Sequence, residues 1–265
     1  MVLEKLRLDG PPRKVVIVTG GGRGLGRAMA ISLAEAGADV CIASRTVSQL
    51  ESAAAEIAAA GGRQPLIVPT NVQKREECDA LIEKTVAHFG RLDVMLNNAG
   101  IGDRRGAGNR IQDLDDADWH DTIEVNLHST FYCSRAATRQ FLQQGGGGVI
   151  VNVASGTALR SSPQSLGYAA AKAGVISLTK SLAAQLVGED IRVNCIIPGF
   201  VAQSAPQNDD EVAMRKQRGR FITVRRLGEA WELGPLAVFL CSDASSYVTG
   251  ESFSIDGGGL AGGVA

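Results

Sequence analysis

The stretch Lys14–Gly26, which reads KVVIVTGGGRGLG, decides the fold of this chain. Its first half is a continuous apolar run, which is typical of a strand buried on both faces. Leu25, Met29 and Leu33 then recur at helical spacing, and Gly37 is a suitable residue to end a helix. The stretch therefore predicts a strand, a glycine-rich turn and a helix in direct succession.

The glycine-rich turn is a candidate phosphate site. Gly20, Gly24 and Gly26 allow a tight turn and a close approach of a pyrophosphate to the backbone. The helix that begins here, around Leu25, offers unpaired N–H groups and the positive end of its dipole. A glycine cluster alone is weak evidence, and a turn without a ligand is the alternative. The position of the cluster, between the first strand and the first helix, favours a dinucleotide site.

Beyond this stretch, short apolar runs alternate with longer helical patterns. Strands are predicted at 14–19, 38–44, 65–72, 92–96, 148–154, 191–197 and 252–256. Helices are predicted at 24–36, 47–60, 74–89, 117–143, 165–187 and 229–240, whereas 207–220 is polar and either helical or mobile. This alternation indicates parallel β-α-β units with helices on both faces of a sheet. Because no internal repeat or linker interrupts it, residues 1–265 are predicted to form a single domain.

The composition excludes several classes of protein. The chain has 265 residues, of which 32 are glycine, with 45 % hydrophobic residues and a net charge of −1. This is too apolar for a disordered chain, and the balanced charge argues against a nucleic-acid partner. No apolar run reaches the roughly 20 residues that span a bilayer, and Met1–Gly10 lacks a secretory signal. The five cysteines form no Cys-x-x-Cys pair, which predicts reduced, buried thiols, a cytoplasmic location and no metal site.

The ends of the second and third predicted strands are expected to contact the nucleotide. Open parallel sheets bind ligands there, and enzymes that use the unphosphorylated nicotinamide cofactor usually carry an acid at the end of the second strand. Here the strand ends in Ser44 and Arg45, and Arg45 together with Arg23 could hold a 2′-phosphate. NADP(H) is therefore favoured, and NAD(H) remains possible. Asn71 and Val72 are predicted to contact the adenine.

A tyrosine and a lysine one helical turn apart are the candidate catalytic pair. Tyr168 has Lys172 four residues on, which places both side chains on one helix face. An ammonium group at that distance favours the phenolate over the phenol. Ser155, at the end of the fifth predicted strand, reaches the same crevice and could hydrogen-bond a substrate carbonyl oxygen. Each residue alone has an ordinary structural explanation, but the combination with the glycine-rich turn favours catalysis.

These motifs, in this order, resemble those of the short-chain dehydrogenase/reductase family. The resemblance runs from about residue 8 to residue 258. It is carried by Thr19-Gly20-x-x-x-Gly24-x-Gly26, Asn97-Asn98-Ala99-Gly100, Asn126, Ser155, Tyr168-x-x-x-Lys172, Pro198-Gly199, Tyr247–Gly250 and Asp256–Gly258. It implies an α/β fold, a single Rossmann domain with a doubly wound seven-stranded parallel sheet, assembled as a homotetramer or homodimer.

The resemblance also implies a role for each site residue. Tyr168 is the general acid/base, Lys172 lowers its pKa and holds the nicotinamide ribose, Ser155 polarises the carbonyl, and Asn126 supports a water that links Lys172 to solvent. The cofactor would further contact the adenosine-side and nicotinamide-side residues Asn98, Ala99, Gly100, Pro198, Gly199 and Val201. A small-molecule ketone or aldehyde would be interconverted with an alcohol by hydride transfer.

Three positions depart from the family pattern. Asn71 stands where an aspartate is usual, which makes the adenine contact neutral. Gln203 stands where a threonine commonly follows the Pro-Gly turn, which puts the hydrogen bonding at the nicotinamide or phosphates in doubt, and Ser204 could compensate. Ala154 replaces a serine and is expected to affect the fit of the substrate more than the chemistry.

The main rival function is a non-catalytic nucleotide sensor on the same fold. The intact set of Asn126, Ser155, Tyr168 and Lys172 argues against it, because a binding module has no need of a perturbed phenol. A serine hydrolase is disfavoured because Ser155 lacks both glycines of a Gly-x-Ser-x-Gly elbow.

The substrate stays open between a 3-oxoacyl group, a sugar or polyol, and a small ketone. It is expected to depend on residues 101–116, 156–167 and 200–226, the last being a substrate lid. The neutral residues at 143–145 and 184–185 stand where carrier-protein-linked reductases of the family usually show basic ones, which makes an acyl carrier less favoured.

Overall fold

A parallel sheet of seven strands forms the centre of the molecule. A computed structural model describes residues 3–61, 63–102, 110–160 and 162–262. In these ranges the sheet strands are β1 (Val15–Thr19), β2 (Asp39–Ser44), β3 (Leu66–Pro69), β4 (Val94–Asn97), β5 (Gly148–Val153), β6 (Ile191–Pro198) and β9 (Ser252–Ile255). Their order is β3-β2-β1-β4-β5-β6-β9, and every neighbouring pair is parallel. This confirms the predicted doubly wound sheet.

Helices cover both faces of the sheet because its strands are apolar on both sides. The helices are α1 (Gly24–Glu35), α2 (Val47–Gly61), α3 (Arg75–Phe89), α4 (Asp116–Ile123), α5 (Ser129–Gln144), α6 (Leu166–Leu186), α7 (Asp209–Gly219) and α8 (Gly234–Cys241). Along β1, Val16 and Val18 pack with α1, α2 and α8, whereas Val15 and Ile17 pack with α3, α5 and α6. This alternation explains the continuous apolar run in the sequence.

Several element boundaries differ from the prediction. The helix predicted at 229–240 begins only at Gly234, after a 3₁₀ turn at Ala230–Leu233. The helix predicted at 117–143 is α4 and α5 joined by a π-helical turn at Glu124–His128. Strand β3 ends at Pro69, so Asn71 and Val72 lie just beyond it rather than at its last residues. A short parallel pair, β7 (Val201–Ala202) with β8 (Gly228–Glu229), frames the segment predicted as a lid, and the polar part of that segment contains α7.

The interior contains buried polar groups that are paired. Asn97 on β4 donates to Asn152 on β5 at 2.9 Å, and Asn152 donates to Thr179 on α6 at 2.9 Å. This series of hydrogen bonds ties two central strands to the helix that carries Tyr168.

The cysteines are unpaired and buried, as predicted. None of the helices in the described ranges combines the length and apolar character that crossing a bilayer requires.

Candidate functional site

A cleft of about 380 Å³ lies at the carboxyl ends of the strands. Parallel sheets of this kind bind ligands at that edge, between β1 and β4. At this point the chain stops adding strands on one side of β1 and starts adding them on the other. The cleft is lined by Gly20, Gly22, Arg23, Leu25, Gly26, Ala43, Ser44, Arg45, Thr46, Gln49, Thr70, Asn71, Val72, Gln73, Asn98, Ala99, Gly100, Ile101, Gly102, Val125, Val153, Ala154, Ser155, Tyr168, Lys172, Pro198, Gly199, Val201 and Gln203. The predicted nucleotide-binding residues and the predicted catalytic pair therefore lie in one cleft.

The glycine-rich turn is held in shape by the residues that follow β4. Gly20 has a φ of +67°, which a residue with a side chain adopts only with strain. A Cβ on Gly26 would lie inside van der Waals contact with the Gly20 carbonyl oxygen and the Asn98 amide. Asn98 donates from Nδ2 to the Thr19 carbonyl oxygen at 3.0 Å, and its backbone N–H donates to Thr19 Oγ1 at 3.0 Å. The two strand ends are thereby braced beside the N-terminus of α1.

The end of β2 presents an unpartnered hydroxyl group to the cleft. Ser44 Oγ is buried and has no hydrogen-bond partner among the described residues. Arg23 and Arg45, which line the same end of the cleft, are exposed and form no ion pair with any residue that the structure describes. A buried polar atom without a partner is costly unless a ligand satisfies it. The geometry thus leaves a hydroxyl group and two cations available to one ligand.

Asn71 lies at the same end of the cleft and is fixed by its neighbours. Its Oδ1 accepts from the backbone N–H of Gln73 at 3.2 Å, and its own backbone N–H donates to Glu77 Oε2 at 2.7 Å. These bonds hold the chain after β3 in a tight turn, so that Asn71 and Val72 face the cleft together.

Lys172 is a buried cation on the floor of the cleft. Its side chain is 2 % exposed, and its Nζ donates to the Val153 carbonyl oxygen at 2.9 Å. Nζ also lies 5.6 Å from the centre of the Tyr168 ring, as expected for residues one turn apart on α6. Burial lowers the pKa of Lys172 from its ordinary 10.5 to about 8. The lysine and the tyrosine are therefore adjacent in a site where charge is poorly solvated.

Asn126 supports the floor of the cleft from behind. It is fully buried in the π-helical turn, and its Nδ2 donates to the carbonyl oxygens of Ile101 at 2.8 Å and Thr122 at 2.9 Å. A Cβ on Gly100 would lie 2.7 Å from Asn126 Oδ1 and 3.4 Å from Lys172 Nζ. Asn126 and Lys172 thus meet under the same loop, although Asn126 does not itself line the cleft. π-helical turns occur frequently at functional sites.

Ser155 faces the cleft just after β5. Its backbone is extended, and its Oγ accepts from the backbone N–H of Thr157 at 3.3 Å and stands 3.1 Å from Thr157 Oγ1. These contacts fix the hydroxyl group at the start of the 3₁₀ turn Gly156–Ala158.

The structure brings together nearly all residues that the sequence singled out. The exceptions are Gly24 and Asn126, which do not line the cleft. Gly24 nevertheless packs against a residue that does, because a Cβ on Gly24 would lie 2.9 Å from Gln203 Oε1. Sequence reasoning missed the Val153 carbonyl oxygen that binds Lys172, because a backbone acceptor leaves no signal in the residue type. It also missed Gln49, whose only signal is its place one turn beyond Arg45. The described residues contain no group of His, Cys, Asp or Glu that could hold a metal ion.

Comparison with known proteins places this geometry among oxidoreductases. The family described as enoyl-(acyl carrier protein) reductase matches residues 20–259. The 2-dehydro-3-deoxy-D-gluconate 5-dehydrogenase of Escherichia coli is 36 % identical over 98 % of this chain and 100 % of its own length. The 3-oxoacyl-[acyl-carrier-protein] reductase of Staphylococcus aureus (strain Mu50) is 35 % identical over 92 % of this chain and 97 % of its own.

A solved structure agrees with these sequence matches. The short-chain type dehydrogenase/reductase from Mycobacterium marinum superposes with a TM-score of 0.88 at 30 % identity. The superposition covers 98 % of this chain and 99 % of that chain. The similarity therefore extends over the whole sheet and both helical layers.

Proposed function

The chain belongs to the short-chain dehydrogenase/reductase family, and from this membership we propose how its site works. The relatives identify an NAD(P)-dependent oxidoreductase that acts on CH–OH groups, and they give no support to a nucleotide sensor. We propose that Tyr168 is its general acid/base. The observation that carries this proposal is the Lys172 ammonium group, 5.6 Å from the Tyr168 ring on the cleft floor.

The residues present fit a nicotinamide dinucleotide. Because Gly26 has no side chain, its backbone packs closely against Gly20 and the turn remains open to a pyrophosphate. The unpartnered Ser44 Oγ lies where the adenosine ribose would be held. When bound, the cofactor supplies the hydride for reduction or accepts it in oxidation. Its nicotinamide end would be held by Lys172, Tyr168, Pro198, Gly199 and Val201, and Asn98–Gly100 would line the adenosine side.

In the reducing direction, Tyr168 gives its hydroxyl proton to the carbonyl oxygen of the substrate. The π bond of the carbonyl breaks, a C–H bond forms with the incoming hydride, and the oxygen becomes a hydroxyl group. Ser155 donates a hydrogen bond to that oxygen while negative charge develops on it. The phenolate left on Tyr168 is stabilised by the adjacent Lys172 ammonium group, and Asn126 positions the loop and a water through which the proton returns.

Replacing Tyr168 with phenylalanine tests this mechanism. The variant keeps the ring beside Lys172 but has no proton to give, so carbonyl reduction should fall by about a thousandfold or more. NADPH binding, followed by the fluorescence of the bound cofactor, should stay within a few-fold of wild type. A variant that still reduces ketones at the wild-type rate would show that another group transfers the proton.

We propose that the enzyme prefers NADP(H). Arg23, Arg45 and Ser44 lie together at the end of β2 without partners among the described residues, and no acid stands there to repel a phosphate. The ratio of kcat/KM for NADPH over NADH should be about ten or more. Arg45→Met should reduce that ratio chiefly by weakening NADPH, and an equal or reversed preference in the wild type contradicts the proposal.

We propose a sugar or polyol as the substrate class, with 3-oxoacyl groups as the second candidate. Relatives of both kinds match at nearly equal identity. The ends of α5 and α6 favour the first class, because residues 143–145 and 184–185 carry no basic side chain for an acidic carrier protein. A panel of sugar ketones and oxoacyl thioesters, followed by NADPH absorbance, distinguishes the two.

We further propose that residues 1–265 form one domain with a lid at 200–226, and that the protein is a homotetramer or homodimer in the cytoplasm. The pair β7–β8 closes the base of the lid, and the Val224 N–H donates to the Gly257 carbonyl oxygen at 3.1 Å near its end. Phe131 on α5, a large apolar side chain that is exposed, supports association with a second copy. Light scattering after size-exclusion chromatography would show a monomer if the assembly is wrong. The unpaired cysteines are consistent with a reducing compartment.

A further inference from the structure

Arg160 stands at the substrate end of the cleft. The chain leaves Ser155 through the 3₁₀ turn Gly156–Ala158, and the backbone N–H of Leu159 closes the turn on the Gly156 carbonyl oxygen at 3.2 Å. Arg160 follows directly. Because a 3₁₀ turn rises only about 2 Å per residue, the chain covers little distance between Ser155 and Arg160. This separation is short enough for one small molecule to reach both side chains.

The guanidinium group of Arg160 is stacked on an exposed aromatic ring. Its central carbon lies 5.1 Å from the centre of the Phe200 ring. Phe200 is 45 % exposed, and its chain neighbours Gly199 and Val201 both line the cleft. The segment after β5 that carries Arg160 and the segment after β6 that carries Phe200 are also close at their beginnings, because a Cβ on Gly156 would lie 3.7 Å from the Pro198 carbonyl oxygen. Arg160 therefore stands just outside the cleft lining, beside its catalytic end.

No charge of the protein neutralises this arginine in the described part of the chain. Arg160 is half-buried, and it makes neither a hydrogen bond nor an ion pair with any described residue. The carboxylate that packs against Gly199, Asp256, is already used by the backbone N–H groups of Gly258 at 2.9 Å and Leu260 at 2.7 Å. The contact with the ring holds the guanidinium group beside Phe200 and leaves its N–H donors without a partner among the described residues.

We propose that Arg160, stacked on Phe200, binds a carboxylate group of the substrate, so that the enzyme acts on anionic ketones or hydroxy acids. The planar fork of a guanidinium group matches the two oxygens of a carboxylate, and a single cation balances its single charge. This proposal rests on the proposed function, because it places the reacting carbonyl at Ser155 and Tyr168. The carboxylate would lie several carbon atoms away from that carbonyl.

Two ketones that differ only in charge test the proposal. 5-Keto-D-gluconate and L-sorbose share their carbon skeleton and stereochemistry, but one carries a carboxylate where the other carries a hydroxymethyl group. The wild type with NADPH should reduce the anion with the higher kcat/KM. Arg160→Met should lower that value for the anion by about 10- to 100-fold, mainly through KM, and leave L-sorbose within about twofold. Arg160→Lys should retain part of the preference.

Matched variants separate the subsite from general effects. Arg139→Met removes an exposed arginine from α5, which does not line the cleft, and should leave the ratio of the two ketones unchanged. Phe200→Leu removes the ring under Arg160 and should lower the preference for the anion by a smaller factor than Arg160→Met. Unchanged reduction of L-sorbose reports that each variant is folded.

A binding measurement keeps this inference distinguishable from the proposed function. D-Gluconate, but not D-glucitol, should perturb the fluorescence of NADPH on the enzyme saturably, and Arg160→Met should weaken that binding by about tenfold or more. If gluconate binds through Arg160 while neither ketone is reduced, the subsite stands and the proposed reaction fails. A wild type that prefers L-sorbose, a ratio that Arg160→Met leaves unchanged, or gluconate binding independent of Arg160 overturns the subsite.

Discussion

Replacing Lys172 with methionine should remove a pH-dependent penalty on the stability of the cofactor-free protein. Lys172 is 2 % exposed, and burial lowers its pKa from 10.5 to about 8. One pKa unit corresponds to about 1.4 kcal/mol, so keeping the ammonium group in the folded protein costs about 3 kcal/mol. Its hydrogen bond to the Val153 carbonyl oxygen offsets part of the desolvation but does not cancel it.

The pH range in which the penalty disappears follows from the two pKa values of Lys172. Below about pH 8 the lysine is protonated in both the folded and the unfolded chain, and the full penalty applies. Between about pH 8 and 10.5 the unfolded chain holds a proton that the folded chain has lost, so stability rises with pH. Above 10.5 both forms are neutral and the penalty is gone.

Urea unfolding of the wild type and Lys172→Met, without cofactor and at one protein concentration, measures this effect. The advantage of the variant over the wild type should shrink by about 2 to 3 kcal/mol between about pH 7 and about pH 10. The lost bond to Val153 adds a pH-independent offset and leaves the slope unchanged. Lys180→Met removes an exposed lysine from the same helix and should show no such slope. A difference that is flat, or that grows with pH, would refute the argument from burial.

Two further predictions concern the cofactor. Gly26→Ala should weaken NADPH binding by about tenfold or more and lower stability by about 1 to 3 kcal/mol, because the new Cβ would overlap the Gly20 carbonyl oxygen. Gly146→Ala, where a Cβ meets nothing within 4 Å, is the matched control, and equal effects would contradict the reasoning. Gln203→Ala should weaken NADPH and NADH equally, by a few-fold, because its amide lies over the glycine-rich turn and can donate to the pyrophosphate that both cofactors share. A loss confined to NADPH, as expected for Arg45→Met, would mean that Gln203 acts at the 2′-phosphate instead.

The sequence by itself determined the order of strands and helices along the chain and pointed to Tyr168 and Lys172 as the candidate catalytic pair. Apolar residues on both faces of β1 require helices on both sides of the sheet, and this requirement is visible in Val15–Thr19 alone. Tyr168 and Lys172 are one helical turn apart, so their proximity also follows from local geometry. Features set by neighbours along the chain are encoded at short range and can be read from residue types.

Only the tertiary structure decided which groups meet across the chain. The pKa of Lys172 depends on its burial, and the groups that surround its Nζ, Gly100 and the Val153 carbonyl oxygen of β5, are not encoded in its local sequence. The π-helical turn at Asn126 interrupts a segment whose residue pattern predicts one uninterrupted helix. The contact between Arg160 and Phe200 joins residues 40 positions apart, because the ends of β5 and β6 lie side by side in the sheet. Contacts of this kind depend on the register of distant strands, and that register cannot be read from the residue types of a single sequence.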